Sequence, residues 1–336
     1  FTTDYLDFRD EIRYDEECLL SPKPVRVTNT NIAGIEWEFK YDDLGRYAGR
    51  RDINDYVYLT TGYLNGSGLR NKMDYLAGNN NWKINATYDK KGNLTAANGV
   101  SEYTAGGSFT SKYTYDCVGR LMNENTSYSM LGQTTVKHNR TYSYNKDGTI
   151  AYVNENGLNY YYGYENGRLT NVKSYDTIIE KYKYDNCGNP THFKSDTQNL
   201  WWERGTLLKK FNNISYTYDG QCKLVKRNDG TTVRKLFYDG DKLIAEKIGD
   251  EKIRYFYDID GVAGFKIGNF DKYIYIKDCQ GNIIGLTKEN LPYAYYTYDA
   301  LGKCKVYRVT NAVEITEAND PAVLNPFRWK SQYYDS

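Results

Sequence analysis

Residues 113–121 read Tyr113-Thr114-Tyr115-Asp116-Cys117-Val118-Gly119-Arg120-Leu121. Side chains alternate across a strand, so the two rings of Tyr-x-Tyr lie on one face. Asp-x-x-Gly suits a type I turn, with the acid first and glycine fourth. The carboxylate can accept from backbone N–H groups inside the turn, and glycine takes a positive φ without strain. Arg120-Leu121 then opens a return strand. The stretch predicts a β-hairpin with strands of roughly 6–8 residues, about 20–27 Å tall.

The same pattern returns along the chain. It stands at Phe39-Lys40-Tyr41-Asp42 with Gly45, at Tyr88-Asp89 with Gly92, and at Tyr142-Ser143-Tyr144-Asn145 with Gly148. Tyr162-Gly163-Tyr164-Glu165 with Gly167 is shortened, and Tyr182-Lys183-Tyr184-Asp185 with Gly188 is full. Tyr216-Thr217-Tyr218-Asp219 has Cys222 where glycine is expected, and Phe237-Tyr238-Asp239-Gly240 is contracted. Tyr255-Phe256-Tyr257-Asp258 with Gly261 and Tyr296-Thr297-Tyr298-Asp299 with Gly302 close the series. Between them, Tyr275-Ile276-Lys277-Asp278 with Gly281 keeps the turn but loses the second aromatic.

Counted from the tyrosine before the acid, the later intervals are 20, 20, 34, 20 and 19 residues, and the earlier ones 47, 27 and 29. The unit is therefore about 20 residues, with insertions mostly on the N-terminal side. A lone hairpin is barely stable, whereas stacked ones align their tyrosines across strands and become cooperative. The fold class is all-β, built from tandem hairpins in a continuous sheet.

Composition agrees. Tyrosine numbers 37 of 336 residues, against 29 Gly and 6 Pro. Tyrosine favours strands and suits thin, half-buried sheets, with a hydroxyl that can stay wet. The formal charge of +1 argues against a nucleic-acid or anionic-membrane binder. Mean hydropathy is −0.76 and no run approaches a membrane span. The first residues lack the pattern of a signal peptide. The missing initiator Met suggests a piece of a longer polypeptide. Two histidines, His138 and His192, stand without a nucleophile arrangement around them.

The unit Tyr-x-Tyr-Asp-x-x-Gly-Arg/Asn-Leu resembles the YD repeat of Rhs and wall-associated proteins, shared with teneurins and insecticidal toxin complexes. Residues 273–285, from Tyr273 to Gly285, resemble the Y-x-x-N-x-x-G-D-I-x-G stretch of bacterial Rhs cores. Tyr296 to Lys303 resembles the penultimate Y-x-Y-D-A-x-G-x. Asn325-Pro326-Phe327-Arg328-Trp329, running on to Asp335, resembles the N-P-F-R-Y-x-G-x-Y-x-D that opens the core-associated motif. The resemblance divides the chain into divergent N-terminal strands over 1–36, the YD-repeat sheet over 37–310, and the start of the core-associated segment over 311–336. It implies a spiralling sheet forming part or all of a hollow shell. In bacterial members that shell encloses a C-terminal toxin freed by aspartyl self-cleavage beyond the core motif. The cleavage aspartates would lie past Ser336, so no catalytic residue carries over.

Other residue types in the chain could support chemistry of their own. Asp42, Asp89, Asp116, Asp185, Asp219 and Asp258 could be imagined as calcium ligands. Each turn offers one acid beside a variable pair, whereas calcium draws several oxygens from one loop. Turn capping is the stronger reading, and no metal or cofactor is expected. Six cysteines (Cys18, Cys117, Cys187, Cys222, Cys279, Cys304) include no C-x-x-C, and five fall in or beside turns. Disulfides between neighbouring turns stay open for an exported protein. Trp201-Trp202 reads equally as a loop anchor or an exposed contact. The Asn-x-Ser/Thr sites at Asn65, Asn85, Asn93, Asn125, Asn139 and Asn213 carry no meaning in a bacterial chain.

The sequence thus points to a non-catalytic wall segment of a secreted or surface-displayed bacterial shell. Its structural residues are Asp42, Gly45, Asp89, Gly92, Asp116, Gly119, Asp185, Gly188, Asp258, Gly261, Asp299 and Gly302, with Asn325 to Trp329 at the core motif. Its partners are the remaining shell and its own C-terminal toxin domain, with no nucleic acid and no membrane insertion. The alternative is a cell-surface adhesin that binds carbohydrate or cell wall through aromatic hairpins, which makes surface glycans its partners.

Overall fold

The protein, described here from a computed structural model, is defined over residues 10–14, 24–29, 35–53, 57–77, 81–102, 107–268 and 271–334. Within each sheet the strands lie in chain order and neighbours pair antiparallel, as a series of hairpins requires. Fifteen strands, from β1 (Asp10–Tyr14) to β15 (Thr177–Lys181), form one sheet. A two-stranded pair, β16 (Lys183–Tyr184) and β17 (Pro190–His192), follows. Twelve strands, from β18 (Leu200–Glu203) to β29 (Cys304–Arg308), form another sheet. Among the described residues the only α-helix is the four-residue α1 (Pro321–Leu324), capped by Asp320, whose carboxylate accepts from the Ala322 N–H.

The two long gaps in the repeat are extra hairpins rather than loops. Between Tyr41 and Tyr88 lie β5 (Val57–Tyr63) and β6 (Arg70–Ala77), joined by a turn through Gly66. Between Tyr184 and Tyr218 lie β18 and β19 (Leu207–Phe211), joined through Arg204 and Gly205, both at positive φ. Three residues, Arg204 to Thr206, close this hairpin between Glu203 and Leu207.

Two compact units divide the chain. The first comprises Phe1–Tyr113, Thr126–Lys137 and Tyr255–Ser336. In it β7 (Trp82–Tyr88) alternates cleanly, with Trp82, Ile84 and Ala86 buried and Lys83, Asn85 and Thr87 exposed. Its buried face meets β28 (Leu291–Tyr298) through Trp82 and Tyr295, with ring centroids 5.3 Å apart. Trp37 meets Phe256 at 5.8 Å. Strands β26 (Asp271–Lys277), β27 (Ile283–Lys288) and β28 are buried on both faces, because Tyr296 and Tyr298 point away from Trp82 and into the C-terminal segment. A strand covered on both sides reads as a continuous apolar run, and Ile283–Leu286 does so. The buried guanidinium of Arg50 lies over the Trp37 ring at 4.3 Å and pairs with Asp258.

The second unit, Thr114–Asn125 and His138–Arg254, has a thinner interior. Among the described residues Tyr142, Val153, Val172, Tyr216, Leu236, Leu243, Ala245 and Ile253 are its buried apolar ones, while most of its other strand residues are only half-covered. Arg140 pairs with Glu155 at 2.5 Å and lies 3.8 Å from the fully buried Glu124.

Candidate functional site

The repeated turn is a local machine of hydrogen bonds. In residues 42–46 the Gly45 N–H donates to the Asp42 carbonyl at 2.7 Å, and the Asp42 N–H to the Arg46 carbonyl at 2.9 Å. One Asp42 carboxylate oxygen accepts from the N–H groups of Leu44 and Arg46 at 3.1 and 2.8 Å. The other accepts from the Arg46 Nε at 2.7 Å. Asp89 and Asp116 repeat this with Asn93 and Arg120. Asp185 holds both the N–H and the amide of Asn189, and Asp299 holds the N–H groups of Leu301 and Lys303. This explains why Arg or Asn follows the glycine: each can return a side-chain N–H to the turn acid. Asp258 departs from the pattern. It accepts from the Asp260 N–H at 2.7 Å, and its second oxygen faces Arg50.

Gly45, Gly92, Gly119, Gly188, Gly261 and Gly302 all have positive φ, from 72 to 100°. At Gly302 space is also short, since a Cβ would lie 3.1 Å from the Trp329 ring. Cys222 adopts φ 64° at the same turn position, without the freedom of glycine.

Tyrosine supplies the link between hairpins. Just before several of the turn acids the ladder skips one residue, for example between Lys40 and Tyr41 or between Thr217 and Tyr218. Such a bulge turns the start of the return strand out of register. The pairing of β4 (Tyr47–Asp52) with β5 accordingly begins at Gly49, two residues inside Tyr47. The Tyr63 hydroxyl, from the next hairpin, donates to the Tyr47 carbonyl at 2.7 Å. Tyr88 does the same to Arg70, Tyr144 to Leu121, Tyr238 to Leu224 and Tyr298 to Ile283, all at 2.7–2.9 Å. Tyr218 reaches Leu208 at 3.0 Å. These hydroxyls, expected to stay wet, are spent on backbone carbonyls that the bulge leaves outside the ladder. Burial pushes the phenols of Tyr88 and Tyr238 up to about 12, which keeps them donors. Arg46 and Arg120, already fixed by the turn acids, lie over the rings of Tyr63 and Tyr144 at 4.3 and 4.6 Å.

The two tryptophans left open by the sequence separate. Trp202 Nε1 donates to the Pro190 carbonyl at 2.8 Å, at the start of β17, so it takes the role of the linking tyrosine. Trp201 is 67% exposed.

The core-motif residues converge on β26–β28. Asn325, 1% exposed, accepts from the Tyr275 hydroxyl at 2.6 Å and from the Phe327 N–H at 3.1 Å. Its amide donates to the Tyr296 hydroxyl at 3.1 Å and to the Phe327 carbonyl at 2.8 Å. Phe327 meets Tyr255 edge-on at 5.0 Å, and Trp329 lies 5.6 Å from Tyr298. Arg328 donates to the Val323 carbonyl at 3.2 Å, while its own carbonyl accepts from Ile283 at 3.1 Å. The Pro326 carbonyl accepts from Tyr334.

A family profile described as the teneurin YD-shell matches residues 70–258, more than half of the 336. The chain belongs to the YD-shell family. Its role is accordingly structural, as a stretch of shell wall. Solved structures similar to this YD-shell chain include the TcdB2–TccC3 complex without its hypervariable C-terminal region, at 13% identity and a TM-score of 0.33, covering 88% of this chain and 21% of that one. TcdB2–TccC3 itself gives 12% identity and a TM-score of 0.31, covering 89% and 23%. The chain therefore spans about a fifth of the length of these structures. No curated protein matches it.

Within this YD-shell chain the turn acids are separate, each closing its own hairpin. Among the described residues no group of three His, Cys, Asp or Glu is placed to hold a metal ion. His192 Nδ1 lies 3.3 Å from the Thr191 hydroxyl. Cys187, Cys222, Cys279 and Cys304 are free thiols, Cys117 is exposed in its turn, and Cys18 lies outside the described residues. No helix among the described residues is long and apolar enough to cross a membrane.

Proposed function

We propose that this chain is a non-catalytic wall segment of a larger exported shell that encloses a toxin domain encoded C-terminal to it. The observation that carries the reading is the link between neighbouring hairpins, in which a tyrosine hydroxyl takes the bulge carbonyl of the hairpin before it. A wall that must hold a cargo needs strong coupling along the repeat, and this device supplies it at every step where it occurs. The clamp around Asn325 supports the assignment of residues 311–336 as the start of the core-associated segment, in line with the N-P-F-R resemblance. The boundaries 1–36 and 37–310 belong to the same proposal. Shell and cargo would be secreted or displayed at the surface of a bacterium, and the cargo would stay inert until delivery.

The test is intact mass and size-exclusion chromatography on the full-length parent protein. A C-terminal piece cut beyond the core motif, yet co-eluting with the repeat region, is the expected result. An uncut protein of single mass would overturn the cage reading.

One observation favours a second reading, glycan binding by a surface adhesin. Trp201 and Tyr175 are 67% and 76% exposed, and exposed rings can stack on sugars. Saturable retention on cell-wall polysaccharide, lost in Trp201→Ala, would support that reading.

A further inference from the structure

Lys277 occupies the position where the repeat otherwise places its linking aromatic, in Tyr275-Ile276-Lys277-Asp278. The exchange leaves the link weak. The Lys277 ammonium reaches the Asp260 carbonyl at 3.5 Å, the outer limit of a hydrogen bond, whereas the tyrosine links span 2.7–3.0 Å. Lys277 is only 6% exposed, yet no carboxylate pairs with it among the described residues. The nearest acids are engaged elsewhere: Asp258 with Arg50, and Asp260 with Arg70 through two guanidinium nitrogens.

Beside Lys277 lies a cleft of about 600 Å³. It is lined by Tyr63, Arg70, Tyr88, Asp260, Lys277 and Lys330, among others. Three cations face one carboxylate, an excess of two positive charges. Both tyrosine hydroxyls donate to backbone carbonyls, and as neutral groups they bring no negative charge to the cleft. A buried ammonium without a counter-ion is costly, and the cost is relieved when an anion enters and accepts from it. Desolvation lowers the Lys277 pKa; Asp258 and Asp260, both already paired with arginines, oppose that shift, while Arg50 and Arg70 add to it.

We propose that this cleft is a binding site for a multivalent oxyanion, a phosphate or a polycarboxylate, held between Lys277 and Lys330 with Arg70 behind them. The site is independent of whether the shell encloses a toxin. Charge-assisted bonds from two ammonium groups would hold the anion, and the polar walls would keep it in contact with solvent.

The test is calorimetric titration of the intact chain, in chloride buffer, with inorganic phosphate and separately with citrate. Saturable 1:1 binding of either anion is expected, and the one that binds identifies a phosphate or a carboxylate ligand. Lys277→Tyr restores the repeat residue and removes the buried charge from the cleft. It should weaken binding by about tenfold or more while leaving thermal stability equal or higher. Lys277→Met provides the same charge removal should the larger ring not fit, and the exposed Lys330→Gln should weaken binding severalfold. Absence of saturable binding by both anions, or affinity unchanged in the Lys277 variants, would overturn the proposal.

Discussion

The hydroxyl of Tyr298 donates to the carbonyl oxygen of Ile283 at 2.7 Å, across from one hairpin to the start of the return strand before it. The pairing of β27 with β28 begins at Gly285, two residues further in. The Ile283 carbonyl therefore lies outside that ladder and depends on the phenol. Tyr298→Phe removes the donor in a site where both residues are buried, and should cost about 1–3 kcal/mol. Tyr88→Phe breaks the same bond to Arg70 in a half-buried place that water can enter, and should cost about 0.5–1.5 kcal/mol. Urea unfolding of the two variants checks the order. Equal, negligible losses would mean that the rings pack but do not link.

Cys222 and Gly188 make opposite predictions about one backbone position. Both have positive φ, 64 and 91°. A side chain there costs about 1–2 kcal/mol, partly offset by the lower entropy of the unfolded chain relative to glycine. Cys222→Gly should thus stabilise by about 0.5–1 kcal/mol. Gly188→Val should destabilise by about 1–3 kcal/mol, since its Cβ would also approach Arg168 at 3.1 Å. Thermal melts of both variants against the parent decide the matter, and a destabilised Cys222→Gly would contradict the strain argument.

How much of this was written in the sequence depends on where the partner sits. Asp42, Asp116 and Gly119 were legible because their bonds close within five residues, and the period repeats them. Tyr63 and Trp202 were missed as copies because one lacks the acid and the other uses indole for phenol. A lone aromatic before a Gly-rich turn, about 20 residues from the next, was the available signal. The acceptors Tyr47 and Ile283 were not legible at all, since a backbone carbonyl has no residue identity and the bulge that frees it is a pairing property. Nor was Arg50 with Asp258, because 208 residues separate them. The core motif was legible as a string, but the burial of Asn325 between Tyr275 and Tyr296 follows from strands that bury both faces.

The turn acids set the response to pH. Backbone and hydroxyl donors from Thr232 and Thr231 hold the Asp229 carboxyl down, from an ordinary 3.8 to about 2. The Asn93 and Asn189 amides lead in lowering Asp89 and Asp185 in the same direction. A carboxyl lowered in the folded state contributes stability above its unfolded pKa and loses it as pH falls through the folded one. Stability should therefore be level above about pH 5 and fall between roughly pH 4 and 2. Asp278, which burial pushes up, works against this trend. Melting midpoints across that range should fall less steeply in Asp229→Asn, and an identical slope would show that Asp229 is not one of the groups responsible.

Asn325 holds the last segment down through four hydrogen bonds in a site that water does not reach. Its removal is costly because Tyr275 and Tyr296 would each lose a partner inside the protein, and an unmade buried bond costs more than a made one contributes. Asn325→Ala should destabilise by about 3 kcal/mol or more. The loss should be local before it is global, since Phe327 and Trp329 still anchor that segment on Tyr255 and Tyr298. Limited proteolysis should cut Asn325→Ala between residues 325 and 334 while β7 and β26–β28 stay protected from hydrogen exchange. Asn325→Asp keeps the acceptor for Tyr275 and Phe327 but loses both amide donors, so it should fall between the parent and the alanine variant. Uniform loss of protection across the whole chain in Asn325→Ala would instead make the segment part of the cooperative core.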